Sequence, residues 1–338
     1  MKVIFSHNLP FFLAHGGMQT LSESLMREIA GLGVEVEQER WWDPQQKGDI
    51  LHYIMRPPYA VNVRLAHEKG FKVIMTENLD QTASRTKTQL FIQRQITRWA
   101  RRLVPGLVNR MAWDVYQLLD AMVYVVPIEL EVAQYLFDAP ADRGYIISQG
   151  LEEQAIQKLS SPEGMGQGDF LVSVAVISER KNSLLLAEAA RKANVPIVFL
   201  GKPLVEDDYY QRFLKAADGK LVKYAGFVSV EEKYDYLRRA RGFALMSQFE
   251  SGCIAIYEAA AAGLPLLLPD LPWASKVYGH LEKVRTVSLG SADHIAEALK
   301  SFYSWSQRQS QQTFPIPSWK QVAQKYVKIY EKILSERS

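Results

Sequence analysis

The segment from Phe249 to Asp270, FESGCIAIYEAAAAGLPLLLPD, constrains the fold more than any other part of the chain. It predicts a loop over 249–252, an alanine-rich helix over 253–262 and an apolar strand over 264–268. A strand that is apolar at every position is typical of a parallel sheet whose two faces are both covered by helices. The segment therefore indicates an α/β protein.

Two acids and two capping signals accompany the predicted helix. Ser251 is a candidate N-cap, and Gly263 stands where a left-handed residue would end the helix. Glu250 lies just before the helix and Glu258 one to two turns inside it. Because a helix N-terminus favours a phosphate, acids on either side of it would suit the hydroxyls of a nucleotide sugar. The alternative is an ordinary surface acid and a helix packed on its sheet.

Strand and helix patterns alternate along the whole chain in two similar halves. Strands are predicted at 2–6, 34–39, 49–55, 71–76, 121–126 and 145–148 in the first half, and at 170–176, 196–200, 221–226, 242–246, 264–268 and 284–288 in the second. This alternation predicts two doubly wound parallel sheets of Rossmann type.

A stretch rich in Gly, Ser and Pro, LSSPEGMGQG at 159–168, breaks every periodicity and is the predicted linker. We expect a first domain at 1–160, a second at 161–316, and a C-terminal segment at 317–338 dominated by one long helix. A chain of 338 residues is long enough for two cores.

Bulk properties exclude several classes of protein. The net charge of +3 is too small to indicate nucleic acid as a partner, and a single cysteine, Cys253, excludes an internal disulfide. No apolar run approaches the roughly 20 residues of a membrane span, and the start, MKVIFSHN, reads as a strand and not as a signal peptide. We expect a cytoplasmic protein, or one peripheral on the inner face of the membrane.

Residues 81–113 contain seven basic residues and no acidic one. Arg94, Arg98, Arg101 and Arg102 alternate there with apolar residues such as Trp99. Such a helix would contact anionic lipid headgroups or an anionic acceptor. The alternative is a solvated helix face packed on its own domain.

Further candidates follow predicted strands. Gly16 and Gly17 stand between the first strand and its helix, where backbone amides can approach a phosphate or sugar, or simply form a tight turn. Arg180, Lys181 and Lys202 follow strands of the second half, where open α/β sheets bind ligands, although each could be merely exposed. There is no Asp-x-Asp pair for a metal, so positive charge for a leaving diphosphate must come from side chains and helix ends.

Several motifs together give the chain a family resemblance. They are Phe249-Glu250-Ser251-Gly252, Glu250 followed after seven residues by Glu258, the run from Glu258 to Pro265, Gly226-Phe227-Val228, the stretch from Ile146 to Glu152, the Gly16-Gly17 pair and the helix of Trp319. With these the chain resembles the family 4 retaining glycosyltransferases of GT-B fold. That resemblance implies two Rossmann-like domains facing a central cleft, with the C-terminal helix returning to the first domain.

The resemblance also implies a role for each matched residue. Gly16 and Gly17 would approach the donor, Lys181 would neutralise the leaving diphosphate, and Glu250 would contact the transferred sugar. The amides of Ser251, Gly252 and Cys253 would meet the diphosphate and Glu258 the ribose. It implies a retaining transfer of a hexose to a glycan, a lipid-linked or a small acceptor, with no metal or cofactor beyond the nucleotide sugar.

Two positions depart from the family pattern. Val176 stands where the family has an arginine, for which Arg180 or Lys202 are substitutes. Asn78 stands at the catalytic position where the family often has a histidine, with Glu77 and His15 as substitutes. An amide cannot act as a general base. These departures keep open a nucleotide-sugar-binding protein that has lost catalysis, and a GT-B nucleotide-sugar epimerase is a further alternative.

Overall fold

The computed structural model describes residues 1–7, 17–163, 166–306 and 313–336. The chain divides into two compact units. The first unit comprises 1–150 together with 317–338, and the second comprises 151–316.

Within the described ranges the strands are β1 (Lys2–His7), β2 (Glu35–Gln38), β3 (Ile50–Ile54), β4 (Lys72–Thr76), β5 (Ala121–Tyr124), β6 (Gly144–Ile146), β7 (Leu171–Val174), β8 (Ile197–Leu200), β9 (Val222–Gly226), β10 (Gly242–Ala244), β11 (Leu266–Pro269) and β12 (Val284–Val287). The helices are α1 (Gly17–Gly31), α2 (Ala60–Glu68), α3 (Asp80–Ala83), α4 (Lys87–Leu103), α5 (Pro105–Arg110), α6 (Val115–Leu118), α7 (Pro127–Phe137), α8 (Glu153–Ser160), α9 (Ser183–Ala193), α10 (Asp208–Ala216), α11 (Val230–Arg239), α12 (Ile254–Ala261), α13 (Pro272–Tyr278), α14 (Ala292–Trp305) and α15 (Trp319–Ser335).

Each unit contains one parallel sheet. The strand order is β2-β1-β3-β4-β5-β6 in the first unit and β12-β11-β10-β7-β8-β9 in the second. The order reverses between β1 and β3, and again between β7 and β10. In sheets of this type ligands bind beyond the carboxyl ends of the strands at such a reversal. The predicted pair of doubly wound, Rossmann-like sheets is confirmed.

The boundary between the units lies earlier than the predicted one. The second unit begins at Leu151, so residues 151–160, which we placed in the first domain, lie in the second and include α8. The described end of the glycine-rich stretch, 166–168, is bonded within that unit, because the amides of Gly166 and Gly168 donate to the carbonyls of Arg238 and Arg239 at 3.1 and 2.9 Å. A stretch rich in Gly, Ser and Pro indicates irregular backbone, but it does not by itself indicate a boundary between domains.

The chain passes between the units near Gly150. A Cβ on this residue would lie 2.9 Å from the backbone nitrogen of Trp319, so the outgoing and returning segments approach closely only because this residue is glycine. The returning helix α15 then packs in the first unit, where Tyr326 and Tyr330 lie in one buried cluster with Leu25 of α1.

A buried polar network fixes α15 to this sheet. His52 of β3 contacts the Tyr330 hydroxyl at 2.7 Å through Nδ1 and the Thr76 hydroxyl at 2.8 Å through Nε2. The Thr76 hydroxyl in turn lies 3.0 Å from that of Tyr326. Burial lowers the pKa of His52 to about 3, so the imidazole is neutral in the folded protein. Among the described helices, none has the length and apolar content needed to cross a bilayer.

Candidate functional site

Two loops of the second unit meet where the strand order of its sheet reverses. The 3-10 turn Glu179–Lys181 follows β7, and the loop 245–253 follows β10. The Gln248 amide donates to the Arg180 carbonyl at 2.8 Å. Asn182, in a left-handed conformation with φ 51°, donates from its side chain to the Met246 carbonyl at 2.8 Å. These bonds hold the two loops together at the sheet edge where a ligand is expected.

Glu250 is the centre of this junction. Its carboxylate accepts from the ammonium of Lys181 and lies 3.3 Å from the guanidinium of Arg180. Glu250 and Lys181 are both buried, whereas the side chain of Arg180 is 38% exposed. Arg180 also donates to the Phe249 carbonyl at 2.9 Å and lies over the Phe249 ring. The sequence-predicted residues Arg180, Lys181 and Glu250 thus form one charged cluster, open to solvent on the arginine side.

The helix beside this cluster begins later than we expected. Its N-cap is Cys253 and its first residue is Ile254, so the assignment of Ser251 as N-cap is wrong. The backbone at Cys253 is still extended, with φ −76° and ψ 102°, which places Ser251 two residues too early for capping. Its hydroxyl oxygen is instead buried without a hydrogen-bond partner in the described part of the chain.

The other end of α12 matches the prediction. Gly263 has φ 72°, and its amide donates to the Ala260 carbonyl at 3.0 Å. The Leu264 amide donates to the Ala259 carbonyl, also at 3.0 Å. This pair of bonds is the Schellman motif, which satisfies the last carbonyls of the helix. Ala259, Ala260 and Ala261 of α12 are fully buried, so this part of the helix packs closely in the core of the unit.

Glu258 lies inside α12 and is 4% exposed. The Lys233 ammonium on α11 donates to its Oε1 at 2.5 Å. Burial raises the pKa of Glu258, and the nearby ammonium opposes that effect. Sequence reasoning missed Lys233, because nothing in its spacing links it to Glu258 25 residues later.

Two further candidate residues, Cys253 and Lys202, lie outside the charged cluster. Burial raises the pKa of the Cys253 thiol to about 11, so its backbone amide and not its sulfur can serve the site. Lys202 follows β8 and is exposed, and none of the ion pairs found among the described residues includes it. Since Val176 carries no charge, Arg180 rather than Lys202 supplies the second cation at Glu250.

In the first unit, fewer of the predicted site residues can be placed at the carboxyl edge of the sheet. Gly16 and His15 lie outside the described residues, and Gly17 is the exposed first residue of α1. Asn78 follows β4 and is partly buried. Its side-chain oxygen accepts from the Asp80 amide at 3.2 Å, so that oxygen already stabilises a local turn.

Glu77 is a structural acid in this structure. Its carboxylate accepts from Arg56 at 3.0 Å, from the Tyr116 hydroxyl at 2.6 Å and from the Asn78 amide at 3.1 Å. Because these donors occupy both carboxylate oxygens, the geometry does not favour Glu77 as a substitute base.

The five residues of the predicted basic patch on α4 separate into two groups. Arg94 lies over the Tyr135 ring at 4.3 Å, and Arg101 pairs with Asp138 at 2.6 Å and with Asp114 at 3.2 Å. Arg98, Trp99 and Arg102 are exposed. Arg94 and Arg101 therefore contact their own unit, and Arg98, Trp99 and Arg102 are the members of the predicted patch that remain exposed.

Comparison with known proteins identifies the family of the second unit. Residues 155–313, which contain Arg180, Lys181, Lys233, Glu250 and Glu258, match the model of the family "Glycosyl transferases group 1". The second unit is a group 1 glycosyltransferase domain. On this ground the chain is a glycosyltransferase. No curated protein matches the chain in sequence.

Solved structures show the fold of the whole chain. AviGT4, a glycosyltransferase involved in avilamycin A biosynthesis, has a TM-score of 0.64 at 16% identity over 99% of this chain and 98% of its own. Sucrose-phosphate synthase from Thermosynechococcus elongatus has a TM-score of 0.68 at 14% identity over 99% and 100%. HepE of Anabaena, solved with UDP and glucose, has a TM-score of 0.61 at 14% identity over 99% of both chains. The glycosyltransferase therefore has the GT-B fold, and the expected cleft between its units stays a prediction.

Proposed function

We propose that this glycosyltransferase transfers a hexose from a nucleotide-diphosphate sugar to a glycan, lipid-linked or small-molecule acceptor, with retention of configuration and without a metal. One observation carries the proposal: Arg180, Lys181 and Glu250 converge beside the N-terminus of α12, at the reversal point of the second sheet. The proposed location is an anionic membrane surface, contacted by the first unit.

The site offers a place for each part of the donor. The N-terminus of α12 suits a diphosphate, which needs hydrogen-bond donors, and so does the Ser251 hydroxyl, which has no partner among the described residues. Glu258, buried within the same helix, suits a ribose hydroxyl. Two of the structural relatives, HepE and the pneumococcal transferase GtfA, were solved with UDP, which makes a UDP-hexose the first donor to test.

The reaction requires positive charge where the diphosphate leaves. Lys181 and Arg180 supply it, and Glu250 holds both cations in position until the donor's phosphates share them. Glu250 also contacts the transferred sugar. In a retaining transfer without a metal, an oxygen of the leaving phosphate takes the acceptor proton on the same face of the sugar, so the chain need not provide a free base at Asn78.

The donor is tested first by binding. Purified protein is melted with UDP-, GDP-, ADP- and TDP-glucose, and the matching donor should stabilise it by about 2.7 kcal/mol at about 100 times its dissociation constant. Products from the matching donor are then followed with and without an acceptor. Formation of an epimer from the donor alone, or no stabilisation by any nucleotide sugar, would contradict the proposal.

The charged cluster is tested by substitution. Lys181→Met should lower turnover about 100- to 1,000-fold, the usual cost of removing one donor that stabilises developing charge. Lys215→Met, which changes an exposed lysine of the same unit on α10, is the matched control and should leave turnover unchanged. Turnover that survives EDTA supports the metal-free part of the proposal, and loss that Mg²⁺ restores would refute that part alone.

A specific observation favours a second candidate, a protein that binds nucleotide sugars without catalysis. Asn78 stands at the position of the expected histidine, and the neighbouring Glu77 already accepts hydrogen bonds on both carboxylate oxygens. Detection of transfer or donor hydrolysis by the purified protein would eliminate this candidate.

A further inference from the structure

Helix α4 presents its apolar side to solvent. Ile92, Ile96, Trp99 and Leu103, at spacings of four, three and four residues, form one stripe along the helix. Their exposed fractions are 53%, 54%, 60% and 68%. Ordinary surface helices direct such a stripe into the core. Leaving it in water forgoes the roughly 1.5–3 kcal/mol that full burial of each such side chain provides.

The opposite side of α4 holds the helix in this orientation. Thr97 and Ala100 are buried against the unit. Arg94 lies over the Tyr135 ring, and Arg101 donates to the Asp138 carboxylate at 2.6 Å and the Phe137 carbonyl at 2.9 Å. The capping box of Thr86 with Gln89 fixes the start of the helix. These contacts therefore stabilise the orientation of α4 in which the stripe faces solvent.

The apolar surface continues beyond the helix. Val104, Leu107 and Met111 are also exposed, by 50%, 40% and 46%. A shallow groove of about 520 Å³ lies along α4, lined by Phe91, Ile92, Ile96, Trp99, Leu103 and Val104, among others. A contiguous apolar surface of this kind marks a site of contact with another apolar phase or partner.

The charges beside the stripe indicate which partner. Arg98 and Arg102 are exposed on one flank of it, Lys87 is exposed at the start of the helix and Arg110 on α5. No acidic residue occurs over 81–113. A second copy of the same face would bring like charges together, whereas anionic lipid offers negative headgroups over an apolar interior. Arginine side chains can reach headgroups while their neighbours enter the acyl region.

We propose that α4 is a membrane-docking helix that lies in the plane of an anionic bilayer surface. Its stripe enters the boundary between headgroups and acyl chains, and Arg98 and Arg102 bind lipid phosphates. At 1.5 Å per residue its 17 residues give a contact about 25 Å long. This inference rests on the membrane location given in the proposed function and names the residues that make the contact; it requires no particular donor or acceptor.

The test uses the full chain and vesicles of phosphatidylcholine with and without phosphatidylglycerol. The wild-type protein should float with the anionic vesicles only, and less at high salt. Arg98→Gln with Arg102→Gln should weaken binding about 30-fold, at about 1 kcal/mol for each arginine. Lys215→Gln with Lys223→Gln removes the same charge from exposed positions of the second unit and is the matched control.

Insertion is tested separately through Trp99. Brominated acyl chains should quench part of the tryptophan fluorescence, and Trp99→Phe should abolish that part. Ile96→Ser should weaken binding without changing its salt dependence. Each variant is checked by its melting temperature and by its stabilisation with donor nucleotide, so a failure to fold is distinguished from a failure to dock.

Three results would overturn the inference: no binding to anionic vesicles, equal binding to neutral ones, or equal loss in the control variant. A concentration-dependent dimer that dissociates on Ile96→Ser would assign the stripe to a second copy instead. Stabilisation by donor nucleotide is expected in every one of these cases, so the proposed function is tested independently.

Discussion

Each unit of this glycosyltransferase holds a buried glutamate at the carboxyl end of its parallel sheet, and the two differ in how their charge is balanced. Glu77 in the first unit is enclosed by Arg56 and the fully buried Tyr116. Aromatic rings of Tyr116 and Phe137 lie 5.0 Å from the Arg56 guanidinium. In the second unit Glu250 shares two cations, of which Arg180 is exposed enough to meet a ligand.

The difference shows that a buried acid with a cation is not by itself a binding site. Around Glu77 the described hydrogen bonds use both carboxylate oxygens. Around Glu250 the buried Ser251 hydroxyl has no hydrogen-bond partner among the described residues, and it lies two residues before the N-cap of α12. We therefore propose that Glu77 serves stability and that Glu250 belongs to the proposed donor site.

The largest expected effect is on stability, from Glu77→Gln. Removing one partner of a buried ion pair costs about 3–5 kcal/mol, and we expect the lower end because Arg56 keeps some contact with solvent. Chemical denaturation followed by circular dichroism measures it. Donor affinity should stay unchanged, since Glu77 lies outside the unit that contains the proposed donor site.

Glu68→Gln, on the exposed end of α2, is the control for the loss of one acid from the same unit. The double change Glu77→Leu with Arg56→Met should cost less than Glu77→Gln alone, because no unpaired charge remains. A Glu77→Gln protein of normal stability that cannot turn over would reverse our assignment and make Glu77 the functional acid.

The second prediction concerns the pH dependence of stability, which we expect to depend on a histidine of the first unit and not on one of the second. The His52 pKa is lowered to about 3 by burial, below its usual value near 6.5 in the unfolded chain. Between these two pKa values the unfolded state binds one proton more than the folded state. The contribution of the neutral His52 to the free energy of unfolding is therefore complete above pH 6.5 and is lost as the pH falls. The slope is about 1.4 kcal/mol for each pH unit.

Denaturation between pH 6 and pH 4, where the unfolded histidine is mostly protonated and the folded one is not, measures this slope. In His52→Leu it should be shallower by that amount, although the variant also loses its bonds to Tyr330 and Thr76. His280→Gln, an exposed histidine of the second unit, should retain the wild-type slope. Equal slopes in wild type and His52→Leu would show that His52 is not buried in the neutral form.

The sheets were predictable because their strands are buried on both faces and are therefore apolar throughout. Helices α8 and α13 were not predicted, since each is at most eight residues long and shows little periodicity. The positions of Arg180, Lys181 and Glu250 beyond their strands followed from the ligand rule for open sheets. The sequence did not predict which arginines of α4 are exposed. A repeat of apolar residues indicates that a helix has an apolar face, but it does not show whether protein, lipid or water covers that face.

Lys233 is the clearest case of a residue of the proposed site that the sequence did not predict. Its substitution has the smallest effect among our predictions, a modest loss of donor affinity. Lys233→Met removes the ammonium that counteracts the rise in the Glu258 pKa. A protonated Glu258 accepts fewer hydrogen bonds from a ribose, so donor binding should weaken by about 1 kcal/mol, or about fivefold in Kd.

The pH dependence makes this last prediction specific. Because the variant raises the Glu258 pKa further, the ratio of its Kd to that of the wild type should be larger at pH 6 than at pH 8, as measured by titration calorimetry with the matching donor nucleotide. Lys158→Met breaks an ion pair with Glu231 in the same unit, but both of those side chains are largely exposed, so donor affinity should not change. If Lys233→Met weakened binding equally at both pH values, Lys233 would contact the donor directly and would not act through Glu258.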